Sequence, residues 1–109
     1  MKVISLFDGI SVAQQALKEL GINPTCYASE IDKYAIQITQ KNFPKTIQLG
    51  DIKEIDTRHV EKGTVDLLIG GSPCQDLSIA KKNREGLNGS RSSLFWEYVR
   101  LLKELEPKY

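Results

Sequence analysis

Leu67-Leu68-Ile69-Gly70-Gly71-Ser72-Pro73-Cys74-Gln75 is the stretch from which the rest of this chain is read. An apolar run ends in two glycines, turns through Ser-Pro and presents a cysteine. A short apolar segment bounded by turn residues, here Val65 to Ile69, reads as a buried parallel strand. Gly70 and Gly71 allow a tight exit from a sheet or the close approach of a ligand. Pro73 fixes its own φ and keeps Ser72 extended, so backbone stiffness sets the position of Cys74. A free cysteine is most often a small buried hydrophobe. This one lies just past the carboxyl end of a strand, where open α/β sheets bind ligands, and polar Gln75 and Asp76 follow it. That context favours a nucleophile.

Working outward, Lys2 to Phe7 reads as a first strand and Asp8-Gly9-Ile10 as the turn after it. Ser11-Val12-Ala13-Gln14 fits a capping box, and Val12, Ala13, Ala16, Leu17 and Leu20 recur at helical spacing up to a stop at Gly21. Thr25 to Ser29 reads as a second strand. Asp32 is placed to cap a second helix with Tyr34, Ala35 and Ile38 facing inward, ended by Pro44. Thr46 to Leu49 is a third strand, and the polar segment from Lys53 to Gly63 predicts a short helix around Thr57 to Glu61. Gln75 to Ser92 has no hydrophobic period and reads as a long loop, a kind usually functional or disordered. A last helix runs from about Ser93 to Glu106, with Leu94, Phe95, Tyr98, Val99, Leu101, Leu102 and Leu105 as its apolar face. Alternating strands and helices predict an α/β fold with a parallel sheet of about four strands and right-handed crossovers. A further strand is expected after the last helix.

The 109 residues make one domain at most, with 40% hydrophobic and 27% charged residues, an ordinary globular composition. A formal charge of +1 excludes nucleic-acid binding through a strong overall field, which leaves only local patches. Met1 to Phe7 is too soon interrupted by Asp8 for a signal peptide, and no apolar run approaches the ~18 residues of a membrane span. Two cysteines without framework spacing suggest a reducing cytoplasm, and a single histidine with no CxxC makes a metal site improbable.

Asp8, Glu30 and Asp51 fall at the ends of the first three strands, so the carboxyl edge of a parallel sheet brings them to one crevice. Glu30 stands about 20 residues past the Gly9 turn, the spacing that suits ribose hydroxyls. Phe7-Asp8-Gly9-Ile10-Ser11 has one glycine and an aspartate where a pyrophosphate-binding turn needs three glycines. A carboxylate there repels phosphate and accepts a cationic sulfonium, while amides at the start of the first helix can hold a carboxylate. Those needs match S-adenosylmethionine.

Phe7-Asp8-Gly9 followed at this distance by Gly70-Gly71-Ser72-Pro73-Cys74-Gln75 resembles the DNA (cytosine-5)-methyltransferase family, and the order of strand-end acids between them is similar too. Gly86 to Tyr98, with Arg91 and Leu94-Phe95, also resembles the family's segment after the nucleophile. The resemblance implies a Rossmann-like S-adenosylmethionine-dependent methyltransferase fold, incomplete here, and a setting such as restriction-modification. It implies that Phe7, Asp8, Gly9 and Ile10 line the methionine end of the cofactor. Glu30 would bind ribose, Ile31 and Ile52 would pack beside adenine, and Asp51 would accept from its amino group. Pro73 would shape the cytosine pocket against the cofactor, with Cys74 as the nucleophile and Ser72 and Gln75 beside the substrate. The partner implied is double-stranded DNA with its target cytosine flipped out of the stack. Lys81, Lys82, Arg84 and Arg91 against Glu85 give residues 81–91 a net local charge of +3 with which to meet phosphates.

The family's Glu-Asn-Val motif, a downstream arginine motif, the target-recognition region and a C-terminal segment are not among these residues. The expectation is therefore that 1–109 is the N-terminal portion of a catalytic domain, inactive until joined by a C-terminal portion, a second subunit or another copy. A different class of reading makes it a non-catalytic cofactor-binding or regulatory module that associates with a full methyltransferase through Phe95, Trp96 and Tyr98.

Overall fold

The computed structural model describes residues 1–71 and 93–109. Its elements run β1 (Lys2–Leu6), α1 (Val12–Glu19), β2 (Thr25–Ser29), α2 (Lys33–Asn42), β3 (Ile47–Gln48), a 3-10 helix (Ile52–Glu54), β4 (Leu67–Gly70) and α3 (Ser93–Leu105). The strands form one four-stranded sheet in the order β3-β2-β1-β4, and each neighbouring pair is parallel. Ile4 lies opposite Tyr27 on one side and Leu68 on the other, and Leu6 lies between Ser29 and Gly70. Val3, Ile4, Ser5 and Leu6 are all buried, as expected of the central strand of a sheet covered on both faces.

Strand order decides which helix covers which face. The chain steps from β1 to β2 to β3 in one direction and then returns past β1 to β4. Right-handed crossovers therefore put α1 and α2 on one face, and the β3–β4 connection and α3 on the other. The main apolar cluster agrees: Ile4 and Leu6 pack with Ile52, Val65, Leu68, Leu101 and Leu105.

Local chemistry fixes the helix ends. Asp32 Oδ1 accepts from the N–H groups of Tyr34 at 2.9 Å and Ala35 at 3.3 Å, the cap expected for α2. Past α1, Gly21 takes φ 78°. Its N–H reaches Lys18 O, and the Ile22 N–H reaches Leu17 O at 2.9 Å, which closes a Schellman motif.

Several expectations are corrected. Ser11 does precede α1, but no capping box forms: its hydroxyl makes no bond to a helix N–H and instead donates to Asp8. Val12, Leu20, Tyr34, Ile38 and Leu102 are exposed, whereas Gln14 is the buried residue of α1 and Thr39 that of α2. The two helices turn hydrogen-bonded polar side chains inward, which an apolar period cannot reveal. Thr57 to Glu61 is a turn and not a helix. Asp56 accepts from the Arg58 N–H at 2.9 Å and Thr57 donates to Glu104 at 2.6 Å, side-chain bonds that draw the backbone out of helix. The helical turn of that region lies earlier, at Ile52–Glu54. The predicted loop from Gln75 to Ser92 lies outside the described residues. No described helix is long and apolar enough to cross a membrane.

After α3 the chain comes back to the sheet. The Tyr109 N–H donates to Asp66 O at 3.0 Å and Tyr109 O accepts from the Leu68 N–H at 2.9 Å. That pair of bonds is one rung of a parallel ladder on the outer edge of β4.

Gly70 is needed where β4 meets β1, because a Cβ there would stand 2.4 Å from Leu6 O, while one at Gly71 meets nothing within 4 Å. Gly70→Ala is expected to cost about 1–3 kcal/mol as an overpacked contact, and Gly71→Ala close to nothing. Equal urea midpoints for the two variants would refute this account of Gly70.

Candidate functional site

Phe7 and Asp8 follow the carboxyl end of β1, Glu30 follows β2, and Asp51 lies three residues past β3. The strands are adjacent and parallel, so these residues meet at one sheet edge. A cavity of about 310 Å³ opens there, lined by Phe7, Ser29, Glu30, Ile31, Asp51, Ile52 and Leu94. The apolar members offer flat packing surface, and Glu30 and Asp51 add hydrogen-bond acceptors.

Among the described residues, Glu30 is held by backbone groups alone. Its Oε1 accepts from the Gly9 N–H at 2.7 Å, and its Oε2 accepts from Ile31 and Asp32 at 3.0 and 2.9 Å. An ionised carboxylate has about four acceptor positions, so these bonds orient the group and still leave room for a ligand hydroxyl. Asp51 uses Oδ1 to cap the 3-10 helix through the Lys53 N–H at 2.9 Å, and no other described residue bonds its Oδ2, which can accept from a ligand. The set fits an adenosine: apolar walls for a flat base, one carboxylate for ribose hydroxyls and another for an amino group.

Asp8, Gly9 and Ile10 do not line this cavity; they form the turn beside it. Asp8 accepts from the hydroxyls of Ser5, at 2.6 Å, and Ser11. Its carboxylate therefore serves the turn itself, a role the sequence reading had not given it. Ile10 is exposed. Ser72, Pro73, Cys74, Gln75, Lys81, Lys82, Arg84 and Arg91 lie outside the described residues.

Two contributors were missed in the sequence. Leu94 was read as part of a helix face and of the segment that resembles the family's, not as a site residue, yet it walls the cavity. Arg100 donates to Ile52 O at 3.1 Å, Ile55 O at 3.3 Å, Glu97 at 2.8 Å and Glu104 at 3.0 Å. It thereby pins the Asp51–Ile52 wall of the cavity to α3. Its spacing to Glu97 and Glu104, i−3 and i+4, was the available signal.

The described cysteine, Cys26, is buried in β2 and free. Burial, with the charge of Asp8 adding to it, pushes its thiol up to about 12. It borders a cavity of about 520 Å³ between Gln14, Phe43 and Thr46, larger than the first but with none of the candidate residues. Among the described residues no group of three or more His, Cys, Asp or Glu could hold a metal ion. On α3, Tyr98 packs against the main apolar cluster, and Trp96 is half exposed with its ring edge-on to Phe95 at 5.2 Å.

Two outcomes follow from this geometry. Arg100→Ala removes a charged donor from two backbone carbonyls, an expected loss of about 1–2 kcal/mol that Arg100→Lys restores only in part, as denaturant unfolding will show. For Cys26 the folded state keeps its proton between about 9 and about 12 while the unfolded chain loses its own. Stability should therefore fall as pH rises through that window, by a component that Cys26→Ala removes. Site-resolved mass spectrometry should find Cys26 almost unalkylated by iodoacetamide at pH 8 until the chain is unfolded.

The geometry can be set beside known proteins. The C-5 cytosine-specific DNA methylase family matches residues 1–109. An orphan methyltransferase, M.SPRI, of Bacillus phage SPR is 39% identical over 112 residues, covering 100% of this chain and 25% of the phage protein. The type II methyltransferase M.FnuDI of Fusobacterium nucleatum is 37% identical over 109 residues, covering 100% of this chain and 30% of that protein. The DNA (cytosine-5)-methyltransferase DRM2 of Oryza sativa subsp. japonica is 34% identical, covering 97% of this chain and 20% of its own length. The chain thus spans between a fifth and a third of these relatives. In fold it resembles TrmN from Thermus thermophilus, with a TM-score of 0.59 at 21% identity over 96% of this chain and 30% of TrmN. A TehB-like SAM-dependent methyltransferase from Corynebacterium glutamicum gives 0.51 at 15% identity, over 92% of this chain and 64% of that one. The sheet is accordingly that of a Rossmann-like methyltransferase, and the chain belongs to the C-5 cytosine-specific DNA methylase family.

Proposed function

We propose that this chain is the cofactor-binding and nucleophile-bearing part of an enzyme that methylates carbon 5 of cytosine in DNA with S-adenosylmethionine. The observation that carries the reading is the convergence of Phe7, Glu30, Ile31, Asp51 and Ile52 on one cavity at the carboxyl edge of the sheet. Phe7, Ile31, Ile52 and Leu94 would hold the adenine between apolar surfaces. Glu30 would accept from the ribose hydroxyls and Asp51 from the adenine amino group. When bound, S-adenosylmethionine supplies an electrophilic methyl group on its sulfonium.

The rest of the chemistry falls to Cys74, four residues past the end of β4. Four residues span at most roughly 14 Å, and this short spacing from β4 supports the assignment. Carbon 5 of cytosine is a poor nucleophile. The Cys74 thiolate adds to carbon 6 and forms a carbon–sulfur bond, which moves the ring electron pair onto carbon 5. After carbon 5 is methylated its proton leaves, the ring double bond reforms and the thiolate is expelled. A free thiol with a pKa near ~8.5 is only a few per cent ionised at neutral pH, so the complete site has to favour the thiolate. The target base leaves the duplex to reach the thiol, and Lys81, Lys82, Arg84 and Arg91 supply cations for the phosphates. The relatives named type II methyltransferases support a place in restriction-modification. We assign to this chain the binding half of the reaction, with target choice and full turnover requiring the remainder of an enzyme of this family.

Calorimetric titration with S-adenosylmethionine tests the cofactor assignment. Binding by the wild-type chain, weakened about tenfold or more in Glu30→Ala through loss of charge-assisted bonds, is the expected result. A folded chain that takes up no cofactor would point instead to a non-catalytic module. In a complete enzyme carrying these residues, Cys74→Ala should abolish methyl incorporation into DNA, and retained turnover would sink the nucleophile assignment.

A further inference from the structure

The turn from Phe7 to Ser11 is strained. Phe7, Gly9 and Ser11 have φ of 53°, 61° and 66°. Glycine adopts that region freely, whereas each of the other two costs of order 1–3 kcal/mol, so the surroundings must hold the turn in place. Part of the hold comes from the sheet edge: the Asp8 N–H donates to Ser29 O at 3.0 Å and the Gly9 N–H to Glu30 at 2.7 Å.

The remainder comes from α2. Thr39 is fully buried, and its Oγ1 lies 3.1 Å from Ser11 Oγ and 3.3 Å from Gly9 O. The single proton on Ser11 is committed to the Asp8 carboxylate, so Ser11 Oγ acts as acceptor for Thr39 and for Gln14 Nε2, the latter at 3.2 Å. Gln14 also donates to Thr46 Oγ1 at 2.8 Å, and Thr46 passes its own proton to Phe43 O at 2.7 Å. Thr39 has one proton, shared between Ser11 Oγ and Gly9 O, and through Ser11 a relay continues to Asp8, its direction set by the anion at its end. Bonds polarised in sequence strengthen one another in a buried site. Stability alone does not call for such a cluster, since apolar groups of the same shape can replace a buried polar pair at little cost.

We propose that Thr39 is a positioning residue for cofactor binding: through Ser11 and Gly9 it holds the strained Phe7–Ser11 turn in the conformation that presents Phe7 and Glu30 to the cavity. The inference rests on the cofactor reading above, yet its physical core can be tested without ligand.

Two measurements on wild type, Thr39→Val and Thr39→Ser decide it. Amide hydrogen exchange reports local opening. Thr39→Val, which keeps the shape and removes the hydroxyl, should speed exchange at Gly9 and Ser11 about tenfold, the scale of one net hydrogen bond, while the β1 and β2 amides keep their rates. Thr39→Ser should match wild type. Titration with S-adenosylhomocysteine should show about tenfold weaker binding for Thr39→Val and recovery for Thr39→Ser. Unchanged exchange at Gly9 and Ser11, an equal rise at the strand amides, or full affinity despite faster exchange would each overturn the proposal. If the wild-type chain binds no ligand, the cofactor reading fails and exchange alone still decides whether Thr39 holds the turn. Should Thr39→Val not fold, Ser11→Gly breaks the same relay while relieving the positive φ, and it should loosen Gly9 in the same way.

Discussion

The carboxylate of Glu30 is the fixed point of this structure. It accepts from Gly9, just past β1, and from Ile31 and Asp32, just past β2. Asp32 is in turn the cap of α2. One side chain therefore ties together the exits of two neighbouring strands and the start of a helix. Such bonds to an anion are the stronger kind, and their donors are backbone groups that would otherwise be orphaned at a sheet edge. A ligand hydroxyl approaching Glu30 meets a carboxylate already oriented, so little ordering cost remains for binding.

That fixed point explains why the turn beside it tolerates strain. With Gly9 held from one side by Glu30 and from the other by Thr39, Phe7 and Ser11 remain at positive φ. The buried polar side chains of α1 and α2 belong to this arrangement and not to an ordinary helix–sheet core. The two faces of the sheet have separate tasks. One carries the apolar cluster of α3, Ile52 and Val65, and the other carries hydroxyls and an amide that shape a loop.

The strands and strand-end acids were legible because a parallel sheet writes itself as short apolar runs followed by turn residues. The second strand, Thr25–Ser29, and the Asp32 cap lie where the sequence places them. The faces of α1 and α2 were not legible, whereas Leu94, Tyr98, Leu101 and Leu105 of α3 pack in or against the core as the period predicts. Hydrophobic period assumes that a helix buries apolar residues, and α1 and α2 bury Gln14 and Thr39 against partners distant in sequence, Thr46 and Gly9. Ser11 was misread for a related reason: a cap requires its hydroxyl to accept from the helix, but the nearby Asp8 carboxylate claims its proton. For the site, the acids were visible from position alone. Leu94 and Arg100 were not, because their roles depend on how α3 packs across the chain.

That packing also fixes the described residues on either side of the 72–92 segment. Before it, Gly70 is pressed against Leu6, whose next residue, Phe7, lines the cavity. After it, Leu94 lines the same cavity from the first turn of α3, and Arg100 fixes that helix to the carbonyls of Ile52 and Ile55. The described residues that flank 72–92 thus both stand at the walls of the one cavity. Glycine at 70 is the residue that permits the first attachment, since any side chain would push β4 off β1. The fold thus brings the end of β4 and the start of α3 to the cavity where the candidate cofactor residues meet.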